Sequence, residues 1–181
     1  MDTDVNSRKD ETYYIILNII QNYFIEYYSG KSRQCFVEDQ RAYTIVKDTC
    51  ELIIKKYFID LQKIVAKYNS DIGSKFPEIV SNTIQDKITW GRIMSIIAFG
   101  AYITKVFKEQ GNDDLVYRMP DIVTESLLIK CRTWIISQDY WNGLHKYVSD
   151  HEKFSYLTYS IKAAAFIITS LAIANFFYKY I

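Results

Sequence analysis

Only two histidines, His145 and His151, and two prolines, Pro77 and Pro120, occur in 181 residues. So little imidazole closes most routes to general-base catalysis, and no pair of Cys or His residues stands at zinc-ligand spacing. A surface or interhelical polar contact is the role left to the two histidines. Cysteine is scarce as well. Cys35, Cys50 and Cys131 are odd in number and scattered, and no Asn-x-Ser/Thr acceptor occurs, which together fit a reducing, non-secreted setting. Cys50 and Cys131 fall on apolar stripes, where a free thiol behaves as a small hydrophobe. Neither sign of charge is in excess, with 22 Lys+Arg against 21 Asp+Glu, so no bulk field or basic stripe exists to hold nucleic acid. The polar start MDTDVNSRKDETYY is not expected to act as a signal peptide, and Asp2 stands where N-myristoylation needs glycine. Gly30-Lys31-Ser32 ends like a phosphate-binding loop, but Ile25 occupies the place of its first glycine and the lead-in reads as helix. No enzyme activity, metal or cofactor is expected.

Period-two alternation is also missing over any useful length, so despite many isoleucines and tyrosines the chain reads as all-α. Tyr13, Ile16, Leu17, Ile20, Phe24, Tyr27 and Tyr28 keep three-four spacing up to Gly30, giving a first helix over about 12–28. A second long pattern covers about 43–68 with a break near Asp60; its stripe includes Tyr57, Leu61, Ile64, Val65 and Tyr68. Pro77 is expected at the first position of a short helix to about Ile84. Thr89 is placed to cap the next helix, which runs to about Phe107. After the turn Gly111-Asn112-Asp113-Asp114, Pro120 is expected to open a helix through Trp134, and a short element WNGLHKYV follows.

The segment TWGRIMSIIAFGA, from Thr89, poses the sharpest problem. Between Ile93 and Thr104 it has no charge and is apolar on every face, as a helix buried all round would be. Yet Gly91 and Gly100 lie within it, each costing roughly 1 kcal/mol against alanine in a helix interior. Side-chain-free positions admit another backbone closely, and Arg92 in the first turn can offer its fork to a carboxylate. With Ser95 and Phe99 at i+3 and i+7 from Arg92, this face suits a groove for a partner helix. Packing within the chain is the other reading of the same glycines.

Residues 163–178, AAAFIITSLAIANFFY, carry no charge and are bracketed by Lys162 and Lys179. Extended back to Ile161, eighteen residues of helix span about 27 Å, close to the roughly 30 Å hydrocarbon core of a bilayer. Aromatic and lysine flanks suit a membrane interface; Thr169, Ser170 and Asn175 keep open a final helix packed into the core. The expected division is a helical domain over 1–155 and an anchor over 156–181.

Thr89-Trp90-Gly91-Arg92 followed by Phe99-Gly100-Ala101 is similar to Bcl-2 homology region 1 (Asn-Trp-Gly-Arg, then Phe-Gly-Gly), and Trp134-Ile135 through Trp141-Asn142-Gly143-Leu144 resembles homology region 2 (Trp-Ile, then Gly-Gly-Trp-Asp). Both motifs in order, with two helical segments before and a hydrophobic tail after, cover nearly the whole chain. The isoleucine, tyrosine, asparagine and lysine bias resembles the product of an A/T-rich genome, and the whole is similar to the poxviral Bcl-2-like apoptosis inhibitors.

That resemblance implies a bundle of about seven or eight helices around a central apolar one, with a C-terminal transmembrane tail. It implies that Trp90 anchors the central helix, Gly91 lets a ligand helix lie close, and Arg92 pairs with the ligand's aspartate. Tyr57, Leu61, Ile64 and Val65 then form one groove wall, Ile79 and Thr83 the other, and Thr89, Ser95 and Phe99 belong to the floor and its edge. Trp141 and Leu144 close the end; Gly100, Trp134 and Trp141 act with Trp90 as structural anchors. The implied ligands are homology-3 helices of Bax, Bak and activators such as Bim, read at i, i+3 or i+4, and i+7. The implied location is the host mitochondrial outer membrane with the domain facing the cytosol.

Departures from the pattern matter too. Cys50-Glu51-Leu52-Ile53-Ile54-Lys55 stands where a family member's own homology-3 motif would carry Leu-x-x-x-Gly-Asp, so the chain is expected to receive such a helix and not to donate one. Ala101 replaces the second glycine of region 1, Asp139-Tyr140 replaces the paired glycines before Trp141, and Thr83 makes one pocket shallower and more polar. Three rivals remain at this level: a Bcl-2-fold modulator of inflammatory signalling acting through surface contacts, a pore-forming effector, and an unrelated tail-anchored adaptor.

Overall fold

A computed structural model of the chain describes residues 10–68 and 71–150, with Lys162 and Ala165 beyond them. Six α-helices occur among the described residues: α1 (Glu11–Ser29), α2 (Gln40–Tyr68), α3 (Ile72–Thr83), α4 (Trp90–Glu109), α5 (Asp113–Ser137) and α6 (Trp141–Asp150), with a 3-10 turn at Gln34–Phe36. Because Ile93 to Thr104 carry no charge on any face, α4 can be enclosed on all sides, and every one of those residues is buried. Helices α1, α2, α3 and α5 all pack on it. Its start is fixed by Thr89, whose hydroxyl accepts the Arg92 N–H at 3.3 Å.

Three boundaries differ from expectation. Against an expected seven or eight helices, six elements occur among the described residues, of which α2 is two helical stretches joined across a kink near the expected break. Tyr57 alone leaves helical dihedrals (φ −109°, ψ 19°), and its neighbours continue as one kinked element. The break falls at Tyr57 instead of Asp60. Pro77 is not at the first position of α3 but inside it. Ile72 and Phe76 are completely shielded from solvent, and burying two such side chains, at about 1.5–3 kcal/mol each, offsets the roughly 3 kcal/mol of an interior proline. Pro120 likewise lies inside α5, which starts at Asp113 under an Asn112 cap; burial of Val116 and Met119 draws the preceding turns into the helix. The tail expected over 156–181 lies outside the described residues but for Lys162 and Ala165, and no described helix is long and apolar enough to cross a membrane.

The junction of α1 and α2 is electrostatic. Glu26 on α1 accepts from Lys47 Nζ at 2.5 Å, the Tyr43 hydroxyl at 2.6 Å and the Arg33 N–H at 2.8 Å. Burial acts to raise the Glu26 pKa, but hydrogen bonds from Lys47, Tyr43 and Arg33 outweigh it and hold the group at about 2, against an ordinary 4.5. The folded value is the lower one, so the stabilisation is fully present above pH 4.5 and is lost as pH falls toward 2. Linkage sets its size on the order of 2–3 kcal/mol. Urea unfolding across that window should therefore show a steep acid loss that Glu26→Gln flattens; parallel curves for the two proteins would contradict the assignment. His145 serves an interhelical contact, its Nε2 lying 3.2 Å from Asp39 Oδ1 at the start of α2, while His151 lies outside the described residues.

Candidate functional site

Three tryptophans meet at the N-terminal end of α4. The Trp90 ring lies 5.1 Å from Trp134 of α5 at a 60° interplanar angle, and 5.9 Å from Trp141 of α6 at 31°. Trp141 Nε1 donates to the Ile15 carbonyl of α1 at 3.2 Å. Aromatic pairs at such spacings add about 0.5–1.5 kcal/mol beyond the area they bury, so this end of α4 is held from three sides. Leu144, one turn after Trp141, is buried with them at 1% exposure. Immediately beside this clasp stand Gly91 and Arg92. Arg92 is half-buried, and its Nη1 donates to the Lys87 carbonyl at 2.9 Å.

Farther along α4 are Ser95 and Phe99, and two helices flank them. Beyond the kink at Tyr57, α2 carries Leu61, Ile64 and Val65; α3 carries Ile79 and Thr83. All seven are at 7% exposure or less, whereas Tyr57 is half-buried. Both helices pack on α4 but not broadly on each other, and these seven side chains are enclosed where the two helices meet α4. Sequence reasoning missed two aromatic members. Phe76 of α3 stacks on Phe99 with centroids 6.0 Å apart and rings 17° from parallel. Phe58 of α2 meets Tyr102 edge-on at 6.0 Å while staying 47% exposed. Phe76 was recoverable, since it precedes Ile79 by three and Thr83 by seven on a single stripe; Phe58 was not, because its position depends on the kink.

The lining is less polar than its residue types imply. Thr83 Oγ1 donates to the Ile79 carbonyl and Ser95 Oγ to the Gly91 carbonyl, both at 2.8 Å. Each hydroxyl proton is thus spent within its own helix. Of the two glycines of α4, Gly100 is packed against the chain itself. A Cβ at Gly100 would sit 2.6 Å from Val123 Cγ2 of α5 and 2.9 Å from Phe24 Cζ of α1, so Gly100 admits the chain's own side chains and answers the packing reading.

At the far end, the turn between α5 and α6 keeps the shape that paired glycines would take. Asp139 and Tyr140 have φ of 56° and 54°. The Asp139 N–H bonds the Ile136 carbonyl at 2.9 Å and the Tyr140 N–H the Ile135 carbonyl at 3.0 Å, the doubled hydrogen bonding of a left-handed helix C-terminus. The bulk of Asp139-Tyr140 therefore leaves the turn's conformation unaltered, at a cost in strain. Gly143 has no room for a side chain, since its Cβ would lie 2.6 Å from the Gln138 carbonyl oxygen. A left-handed non-glycine residue costs roughly 1–2 kcal/mol, and glycine gives back about 0.4–1 through unfolded-state entropy. Asp139→Gly also gives up the hydrogen bond that Asp139 Oδ2 accepts from Asn142 Nδ2 at 2.8 Å, about 0.5–1.5 kcal/mol, so strain relief and lost bond should nearly offset and the Tm should stay within about 4 °C of the parent's; a larger loss would show the turn is not strained.

Comparison with known proteins agrees with this arrangement. Residues 46–141, a span running from within α2 to Trp141 of the tryptophan clasp, match the model of the Bcl-2 family of apoptosis regulator proteins. An apoptosis regulator Bcl-2 homolog of canarypox virus is 56% identical over 96% of this chain and 99% of its own length, and one of fowlpox virus strain NVSL is 41% identical over 93% and 94%. The crystal structure of the FPV039:Bik BH3 complex superposes with a TM-score of 0.68 at 42% identity, covering 77% of this chain and 99% of that one. With the helices of its described residues packed in a Bcl-2-like fold and relatives among poxviral apoptosis regulators, the chain belongs to the Bcl-2 family.

Proposed function

We infer that the protein inhibits apoptosis by binding the homology-3 helices of host pro-apoptotic proteins between α2 and α3, with α4 as the floor. The observation that carries this reading is the pairing of Thr89-Trp90-Gly91-Arg92 at the head of α4 with an apolar lining from three helices. A structural neighbour at 42% identity, whose crystal structure is a complex with the Bik BH3 segment, supports it. Bax, Bak and activators such as Bim are the proposed ligands; holding their helices stops the effectors from oligomerising and permeabilising the mitochondrial outer membrane. The apolar tail over 156–181, whose length and flanks suit a bilayer, is proposed to keep the domain on the cytosolic face of that membrane.

In this reading the ligand is an amphipathic helix whose apolar face contacts Leu61, Ile64, Val65, Ile79, Thr83 and Phe99, and whose aspartate meets Arg92. Gly91 lets its backbone approach, Ser95 lies beneath it, and Tyr57 marks the end of one wall. Calorimetric titration of the protein cut after Ser155, with peptides spanning the homology-3 helices of Bax, Bak and Bim, tests it. Submicromolar binding by several peptides, lost when the ligand aspartate is replaced, is the expected result. Silence across the set from folded, helical protein would reject the reading.

A further inference from the structure

The outward face of α5 carries apolar side chains that the fold leaves in water. Leu115, Ile122, Ile129 and Ile136 recur every seven residues, a repeat that drifts only about 20° per step and so keeps them on one face. Ile129 is 70% exposed and Ile136 47%, while Leu115 and Ile122 are half-buried. The first three, with Gly73, Ser74 and Pro77 of α3, line a shallow groove of about 370 Å³. Gly73, Ser74 and Pro77 stand roughly half a turn from Ile79 and Thr83, so this groove and the ligand site use opposite sides of α3.

Charge placement says what covers it. Arg118 and Glu125 also line the groove; they are seven residues apart and therefore flank the apolar row on the same side. A two-fold axis perpendicular to α5 at Ile122 turns the helix antiparallel onto a copy of itself and keeps that flank on the same side. Residue n then faces residue 244 − n, so Leu115 meets the second copy's Ile129 and Ile122 meets itself. Arg118 comes within one residue's rise, about 1.5 Å along the axis, of the second copy's Glu125, and the symmetry makes that ion pair twice.

Other registers fare worse. Centring the axis between Glu125 and Ser126 brings the two Glu125 carboxylates together. Centring it on Ile129 needs Arg132 for Glu125, and Arg132 is already held by Asp10 at 2.5 Å. The present contact of Arg118 with Asp114, 3.5 Å between exposed groups, is of the kind worth little, so it does not compete with a pair beside a buried apolar row.

We propose that the protein associates as a two-fold dimer through this face, α5 against α5 antiparallel and centred on Ile122. The dimer leaves both ligand sites outward and gives the exposed Ile129 its partner, while Ile136, beyond the end of the paired segment, stays outside the contact. Sedimentation velocity of the full 181-residue chain over a concentration series tests it. A monomer–dimer equilibrium is expected, with Ile129→Asp raising Kd at least about tenfold. Arg118→Glu and Glu125→Arg should each weaken the dimer, since each sets like charges together, and the double exchange R118E/E125R should restore it. All three positions are exposed, and unchanged far-ultraviolet circular dichroism verifies that each variant is folded. A chain that stays monomeric up to about 1 mM, or one whose association ignores Ile129→Asp and the charge exchange, overturns the proposal.

Discussion

Gly100→Ala is expected to destabilise the protein by about 1–2 kcal/mol, although propensity alone predicts a gain. Alanine improves a helix interior by roughly 0.5–1 kcal/mol over glycine. Against that, the new methyl would stand 2.6 Å from Val123 Cγ2 and 2.9 Å from Phe24 Cζ. Both residues are fully buried, so neither side chain can swing into solvent, and forcing a methylene into a filled core typically costs 1–3 kcal/mol. Denaturant unfolding should show a lower midpoint with an unchanged m-value. Val123→Ala in the same chain should recover part of the loss, because it removes the atom in the way; the two substitutions are neighbours and are expected to couple. Affinity for a homology-3 peptide should be unaffected wherever the variant remains folded, since Gly100 faces α1 and α5. A midpoint at or above that of the parent protein would mean the helices separate at little cost.

This glycine illustrates what could be read before any coordinates and what could not. The charge-free run around it announced a helix enclosed on every side, and the Thr89 cap announced where that helix begins; both are local signals, and both hold. Whether the glycine served a ligand or the chain's own packing depends on Phe24 and Val123, which lie far away along the chain. The two prolines misled for the same reason. Each marks a helix start when only its neighbours count, and each is overridden because Ile72 and Phe76, or Val116 and Met119, bury their side chains through contacts no local window contains. The anchoring tryptophans were placed by resemblance to two short motifs, and their rings do meet. The cluster on Glu26 had no such signal: its donors Arg33, Tyr43 and Lys47 show no spacing that marks them as partners until α2 folds back on α1.

Arg92→Ala is expected to weaken homology-3 peptide binding by about 2–5 kcal/mol, the cost of truncating one member of a desolvated charge pair, while leaving the fold close to its parent stability. Losing the bond to the Lys87 carbonyl removes one net hydrogen bond, about 0.5–1.5 kcal/mol, from a half-exposed side chain. The loss of affinity is bounded by what the rest of the site supplies. A nanomolar complex needs about 12 kcal/mol, and a charge-assisted pair contributes only about 1.5–3 of it, so the apolar lining carries most of the binding and the variant should still bind, between tens of nanomolar and a few micromolar. Arg92→Lys separates charge from geometry: if a two-pronged contact with the ligand carboxylate matters, lysine keeps the charge but not the fork and should fall between the other two. Replacing the ligand's aspartate supplies the second arm of a cycle. If Arg92 and that aspartate pair, the double change should cost little more than either single one. Additive losses would place Arg92 elsewhere in the encounter, and parental affinity in Arg92→Ala would mean the pair is not made.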